Sequence, residues 1–285
     1  MRDKAILSET IDGIELIMGA DLNRITIERA VVGLFFIGVK LDTGVAGACA
    51  TPLRSIPEAV CCPSSAMAMP FPGKLRGRPA RELLKEVAAT SGIRRAIGIA
   101  TMNALASMCW ERRAIPEVEL QIGVDAYDAA GIHPDQNVVV VGAFVPFLKA
   151  LKQAGQRWTV LEMDPATLKG EELAHFRHAS EAPAVVPDAD VVLITGTTLL
   201  NDTIEGLVAL CRPDARVVVV GPTVGLFPVA FLRRDVDVMG GIQVTAPDAF
   251  LDMLAEGGSG YHFFGKSAEK VVLVRRNASE MPRAA

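Results

Sequence analysis

From about Gly123 onward the chain repeats one pattern: a short β-branched apolar run, a break at glycine, threonine or an acid, then a helix-like segment. The runs fall at 137–141, 158–161, 191–194, 216–220 and 236–239, with a late one at 271–274. Segments 147–154, 203–211, 229–233 and 248–255 lie between them with helical spacing. Strands that are apolar almost without interruption are buried on both faces, and parallel neighbours need a crossover long enough to be a helix. The pattern predicts a mainly parallel α/β sheet with helices on both sides.

The first 122 residues have a different texture. Apolar residues at Ile6, Leu7, Ile11, Ile14, Ile17 and Met18 recur at spacings of three and four, which predicts a helix over 6–18. Residues 31–41 and 45–51, joined by Asp42-Thr43-Gly44, read as a β-hairpin. A proline-rich stretch from Pro52 to Gly77 has no periodicity, and two helices are expected after it, over 81–89 and 93–110. The expected fold class is therefore α/β in two domains. An α+β domain spans 1–122, and a Rossmann-like, mainly parallel α/β domain spans 123–285.

Charge excludes some function classes. The 29 Lys and Arg against 33 Asp and Glu leave a net charge of −4, so no global attraction to nucleic acid or to an anionic membrane is expected. The first 122 residues carry 15 basic and 13 acidic side chains, and the remainder 14 and 20, so any anion site must be local. Charges from the second residue on argue against a secretory leader, and no apolar run approaches the roughly 20 residues of a membrane span. The expectation is a cytoplasmic protein. Five cysteines in a chain of 285 residues suit reduced thiols better than a disulfide framework.

In doubly wound sheets ligands bind at the carboxyl ends of the strands, where crossovers depart in opposite directions. The first strand there ends at Gly142 and the second at Glu162, 20 residues later, the spacing at which dinucleotide folds place an acid on a ribose. The phosphate-binding glycine fingerprint is missing, since Phe144 and Pro146 stand where close backbone approach is required. The third strand ends in Thr195, Gly196, Thr197, Thr198 and Asn201, more hydroxyl and amide groups than a helix cap needs. The fourth ends in Gly221, Pro222 and Thr223, and the fifth at Gly240-Gly241. Together these residues predict a polar crevice for a small anionic ligand. The adjacent thiols Cys61 and Cys62 are candidate ligands for a soft metal, closed over the crevice by the basic run Lys74, Arg76, Arg78 and Arg81. Buried packing is the ordinary role for Cys49, Cys109 and Cys211, and solvated loops for His133 and His262.

Several of these motifs carry a resemblance. Thr195-Gly196-Thr197-Thr198-Leu199-x-Asn201-x-Thr203, Gly221-Pro222-Thr223, 240–245 and Gly257-Gly258 resemble the DUF364 proteins, named for heavy-metal chelation. Val39-Lys40-Leu41, Gly47 and 99–105 resemble DUF4213, the usual N-terminal partner of that domain. The resemblance covers about residues 5–274. It implies an enolase-N-terminal-like domain joined to a Rossmann-like one, with a site in the cleft between them. Three functions are consistent with it: binding or processing of a metal ion or small anionic metal complex, an enzyme with a nucleotide-like or S-adenosylmethionine-like cofactor, and a homo-oligomeric scaffold. A transition or heavy metal is the implied cofactor of the first.

Overall fold

The computed structural model describes residues 5–53, 69–89 and 92–276. The chain opens with α1 (Ile6–Met18) and an antiparallel meander of β1 (Ile27–Val32), β2 (Phe36–Leu41) and β3 (Ala46–Ala50). Helix α2 (Ala80–Leu84) packs on α3 (Gly92–Arg112), which lies against β2 and β3. The expected hairpin is β2–β3, with Gly44 at φ +83° in its turn. The run 31–41 does not form one strand. It breaks at Gly33, whose amide turns back to Phe36 O at 3.0 Å, and the separate strand β1, paired antiparallel with β2, was not expected. Small residues let α3 lie close to the sheet: a Cβ on Gly47 would stand 2.3 Å from Ala104 N and 2.4 Å from Ala100 O.

The second sheet has eight strands. In chain order its elements are β4 (Val118–Ile122), α4 (Ala126–Ala130), β5 (Asn137–Val141), α5 (Val145–Gln153), β6 (Arg157–Glu162), β7 (Phe176–His178) and α6 (Ala182–Val185). There follow β8 (Val191–Thr195), α7 (Ile204–Ala209), β9 (Arg216–Val220), α8 (Val229–Leu232) and β10 (Val238–Val244). The last elements are α9 (Pro247–Ala255), α10 (Gly260–Phe263) and β11 (Ala268–Arg275). The strand order is β4-β11-β10-β9-β8-β5-β6-β7, with the six from β10 to β7 parallel and β11 antiparallel to both its neighbours, β10 and β4. Numbered from β5, the parallel strands stand in the order 3-2-1-4-5-6, which reverses between β5 and β8.

The chain is thus an α/β protein with an antiparallel three-strand sheet followed by a mixed, mostly parallel eight-strand sheet. β4, at 118–122, precedes residue 123 and already belongs to the second sheet, paired with β11. Alternate residues of each central strand serve opposite faces. Val138 and Val140 join Phe147, Leu151 and Trp158 on one side. Val139 and Val141 face the other side, in one apolar cluster that continues through Ile14, Ile37 and Leu105 of the N-terminal elements. No helix among the described residues is long and apolar enough to cross a membrane.

The Gly240-Gly241 pair, expected at a strand end, lies inside β10. An added Cβ would meet Ala126 Cβ at 2.6 Å from Gly240 and Val224 O at 2.7 Å from Gly241, so both glycines serve close packing on opposite faces of the sheet.

Candidate functional site

The order reversal between β5 and β8 opens a crevice at their carboxyl ends, because the crossover from β5 to β6 and that from β8 to β9 leave on opposite faces. A cavity of about 260 Å³ lies there. Gly142, Ala143 and Phe144 after β5 line it, with Glu162 and Met163 at the end of β6, Ala179 after β7, and Thr195, Thr197, Thr198, Asn201 and Thr203 after β8. Six of the residues singled out in the sequence are therefore brought together: Gly142, Glu162, Thr195, Thr197, Thr198 and Asn201.

Glu162 is the one charged side chain among the described residues of that lining. Its carboxylate is fixed by three backbone amides: Ala143 N–H donates to Oε2 at 3.0 Å, and Met163 and Asp164 N–H donate to Oε1 at 2.7 and 3.2 Å. An ionised carboxylate offers about four lone-pair directions, so one remains for a ligand donor. Gly142 makes the arrangement possible. At φ +98° it turns the chain sharply after β5, and a Cβ there would lie 2.9 Å from Thr195 Cγ2.

Most of the hydroxyls build the turn after β8. Thr198 Oγ1 donates to Thr195 O at 2.6 Å, Thr195 and Thr197 hydroxyls stand 3.1 Å apart, and Thr203 Oγ1 donates to Asn201 Oδ1 at 2.7 Å. What remains for a ligand is the exposed Thr197 hydroxyl and the Asn201 amide group.

The other predicted residues lie elsewhere. Gly196 is buried beneath the turn, where an added Cβ would strike Val224 Cγ2 at 2.7 Å. Gly221, Pro222 and Thr223 form a joint to the first sheet. Gly221 N–H donates to Gly240 O, and Asn103 Nδ2 of α3 donates to Thr223 O at 3.0 Å, Ala48 O at 2.8 Å and Pro222 O at 3.4 Å. The buried Thr223 hydroxyl accepts from Ala50 N–H at 3.0 Å. Among the described residues the cavity is lined by ones between 141 and 207, none of them from the first sheet.

Sequence reading missed the parts of Ala143, Met163 and Ala179. Ala143 acts through its amide and Met163 adjoins an acid already noted. Ala179 follows a three-residue strand too short to leave a pattern.

Among the described residues no group of three or more His, Cys, Asp or Glu is placed to hold a metal. Cys61 and Cys62 lie outside the described residues. Burial pushes the Cys49 thiol up to about 12, and those of Cys109 and Cys211 up to about 11, so all three stay protonated at neutral pH while thiolate is the ligating form. The histidines are structural partners: His175 stacks on Trp158 with centroids 3.9 Å apart, and His262 Nδ1 accepts from Ser259 N–H at 3.0 Å. Arg78 covers the Phe71 ring at 4.0 Å and Arg81 pairs with Glu15 of α1 at 3.0 Å; no residue of the basic run lines the cavity.

Comparison with known proteins agrees with this architecture. The family model DUF364, described as "Putative heavy-metal chelation", matches residues 125–273, and DUF4213, with the same description, matches 15–106. The chain belongs to the DUF364 family. A DUF364 protein of unknown function from Pyrococcus horikoshii superposes with a TM-score of 0.72 at 16% identity, covering 94% of this chain and 99% of that one. Another, from Desulfitobacterium hafniense DCB-2, gives 0.71 at 18% identity, with 97% and 100% covered. At these identities the likeness is one of fold. An uncharacterised protein of Methanocaldococcus jannaschii is 24% identical over 177 residues, 61% of this chain and 64% of that relative's length.

Proposed function

We propose that this DUF364 protein binds a nucleoside-type small molecule, as ligand or cofactor, in the cavity between β5, β6 and β8. One observation carries the reading: the order 3-2-1-4-5-6 puts Glu162 at the end of the second parallel strand, facing the cavity with one acceptor direction unspent. That is the place from which an acid receives a ribose hydroxyl in dinucleotide-binding sheets. At about 260 Å³ the cavity lies below the ~300–1,000 Å³ of sites for drug-sized ligands, so it suits one nucleoside and not a whole dinucleotide. Thr197 and Asn201 supply further polar partners at its rim.

Titration calorimetry with adenosine tests the reading on the wild-type chain and on Ala179→Trp, which fills the cavity from a half-buried position. Binding by the wild type, weakened at least tenfold in the variant at an unchanged melting temperature, supports it. Equal affinity in both proteins, or none in either, contradicts it.

Heavy-metal chelation, which the family description names, is the second reading. The described donors do not fit a resident metal, since the three described thiols are buried or half-buried and protonated, and Glu162 is the only carboxylate among the described residues lining the cavity. Under this reading Cys61 and Cys62 would supply the ligands. Metal analysis of untagged protein, with Cys61→Ser and Cys62→Ser combined, tests it: thiophilic metal lost from the double variant supports it, and metal-free wild type contradicts it.

A further inference from the structure

We infer that the cavity prefers an uncharged or cationic nucleoside to a nucleotide phosphate, because the turn that would hold a phosphate already holds the Glu162 carboxylate. The inference rests on the reading above and narrows its ligand class.

A phosphate in a doubly wound sheet is gripped by the free amides between the first strand and its helix, aided by the positive end of the helix dipole. Here those amides are spent. Ala143 N–H donates to Glu162 Oε2 at 3.0 Å. Phe144 N–H turns back to Gly142 O at 2.9 Å, and Val145 N–H to Ala143 O at 3.0 Å. Pro146, in the first turn of α5, has no N–H to give. Of the first-turn donors only Phe147 N–H has no bond among the described residues. The anion that this turn recognises is supplied by the next strand of the same chain.

Charge gives an independent argument. Among the described residues no Lys, Arg or His lines the cavity and Glu162 is the only ion, so a phosphate would enter a space of like charge without a counterion from them. The bulky Phe144 stands on the cavity wall, with its ring stacked on Phe147 at 5.2 Å, where a glycine loop would admit a pyrophosphate. A ligand with a neutral or positively charged 5′ substituent meets none of these obstacles, and a cation gains from the carboxylate.

Three probes that share the adenosine body separate the possibilities by calorimetry on the full chain: adenosine, 5′-amino-5′-deoxyadenosine, which is cationic at neutral pH, and ADP. The expected order is the amino nucleoside at least as tight as adenosine, and adenosine at least tenfold tighter than ADP. Glu162→Gln removes the charge at nearly constant shape and should draw the three affinities to within about threefold. If that variant folds poorly, Thr197→Lys on the exposed rim serves instead, raising ADP affinity about fivefold or more and lowering that of the amino nucleoside. ADP bound as tightly as adenosine by the wild type overturns the selectivity while leaving nucleoside binding in place. If none of the three binds, the nucleoside reading itself falls and the selectivity with it.

Discussion

Glu162 shows how a side chain at a strand end can serve fold and ligand at once. From sequence it reads as an exposed carboxylate of little structural weight, but three backbone amides converge on it. Glu162→Ala should therefore cost stability as well as ligand affinity, about 1–3 kcal/mol for the amides left without an acceptor, measured by urea unfolding. Asn103 is the counterpart at the joint between the sheets, where its amide donates to three carbonyls inside a buried site. Asn103→Ala should cost about 1–3 kcal/mol. Asn103→Asp, which faces the same carbonyls with an acceptor, should cost more, and an equal or smaller loss would show that the three bonds do not matter. The buried thiols set a pH dependence. Cys49, Cys109 and Cys211 ionise in the folded chain only at about 12, 11 and 11, above the usual thiol range. Their contribution to stability is complete below pH 9 and is lost as pH rises toward 12, since the unfolded chain releases those protons first. Melting temperatures from pH 8 to 11 should fall over this window, and less steeply in Cys49→Ala.

At the scale of elements, hydrophobic period decided what could be read in advance. Strands such as 137–141 and 216–220 are continuous apolar runs bounded by breakers, and they form over those residues. β4 escaped notice because Glu119 and Gln121 interrupt it, as suits an edge strand with only β11 as neighbour. The three residues of β7 are too few for any period. The same logic explains the candidate site. Glu162 and the Thr195 turn were legible because strand ends in parallel sheets gather at one edge. The joint formed by Gly221–Thr223 was not, because its partners Asn103 and Ala50 lie more than a hundred residues away. β10 offers a test of close packing. Gly240→Val would drive a side chain into Ala126, 2.6 Å from its Cβ, and should cost about 1–3 kcal/mol through overpacking, read from the urea midpoint.

Over the whole molecule, the two sheets share one apolar cluster that runs from Ile14, Ile37 and Leu105 into Val139, Val192 and Val219. Polar ties reinforce it: Asn103 to the 222–223 turn, Arg95 to Asp202, Ile6 N–H to Glu205 Oε1 at 2.8 Å, and Glu9 to Arg233 and Arg234. Calorimetric unfolding should show a single transition with equal calorimetric and van't Hoff enthalpies, whereas two resolved transitions would mean that the halves melt separately. The described lining of the cavity, by contrast, comes from the second sheet and its loops, so among the described residues ligand binding should be sensed within 141–207. Amide chemical-shift mapping of the full chain with adenosine tests this most directly. The largest shifts are expected at Ala143, Met163 and Asp164, whose amides hold Glu162, and at 195–198. Shifts centred instead on a second cavity, which Leu16, Pro116 and Phe227 line between α1 and the segment before α8, or absent at saturating adenosine, would contradict nucleoside binding at Glu162.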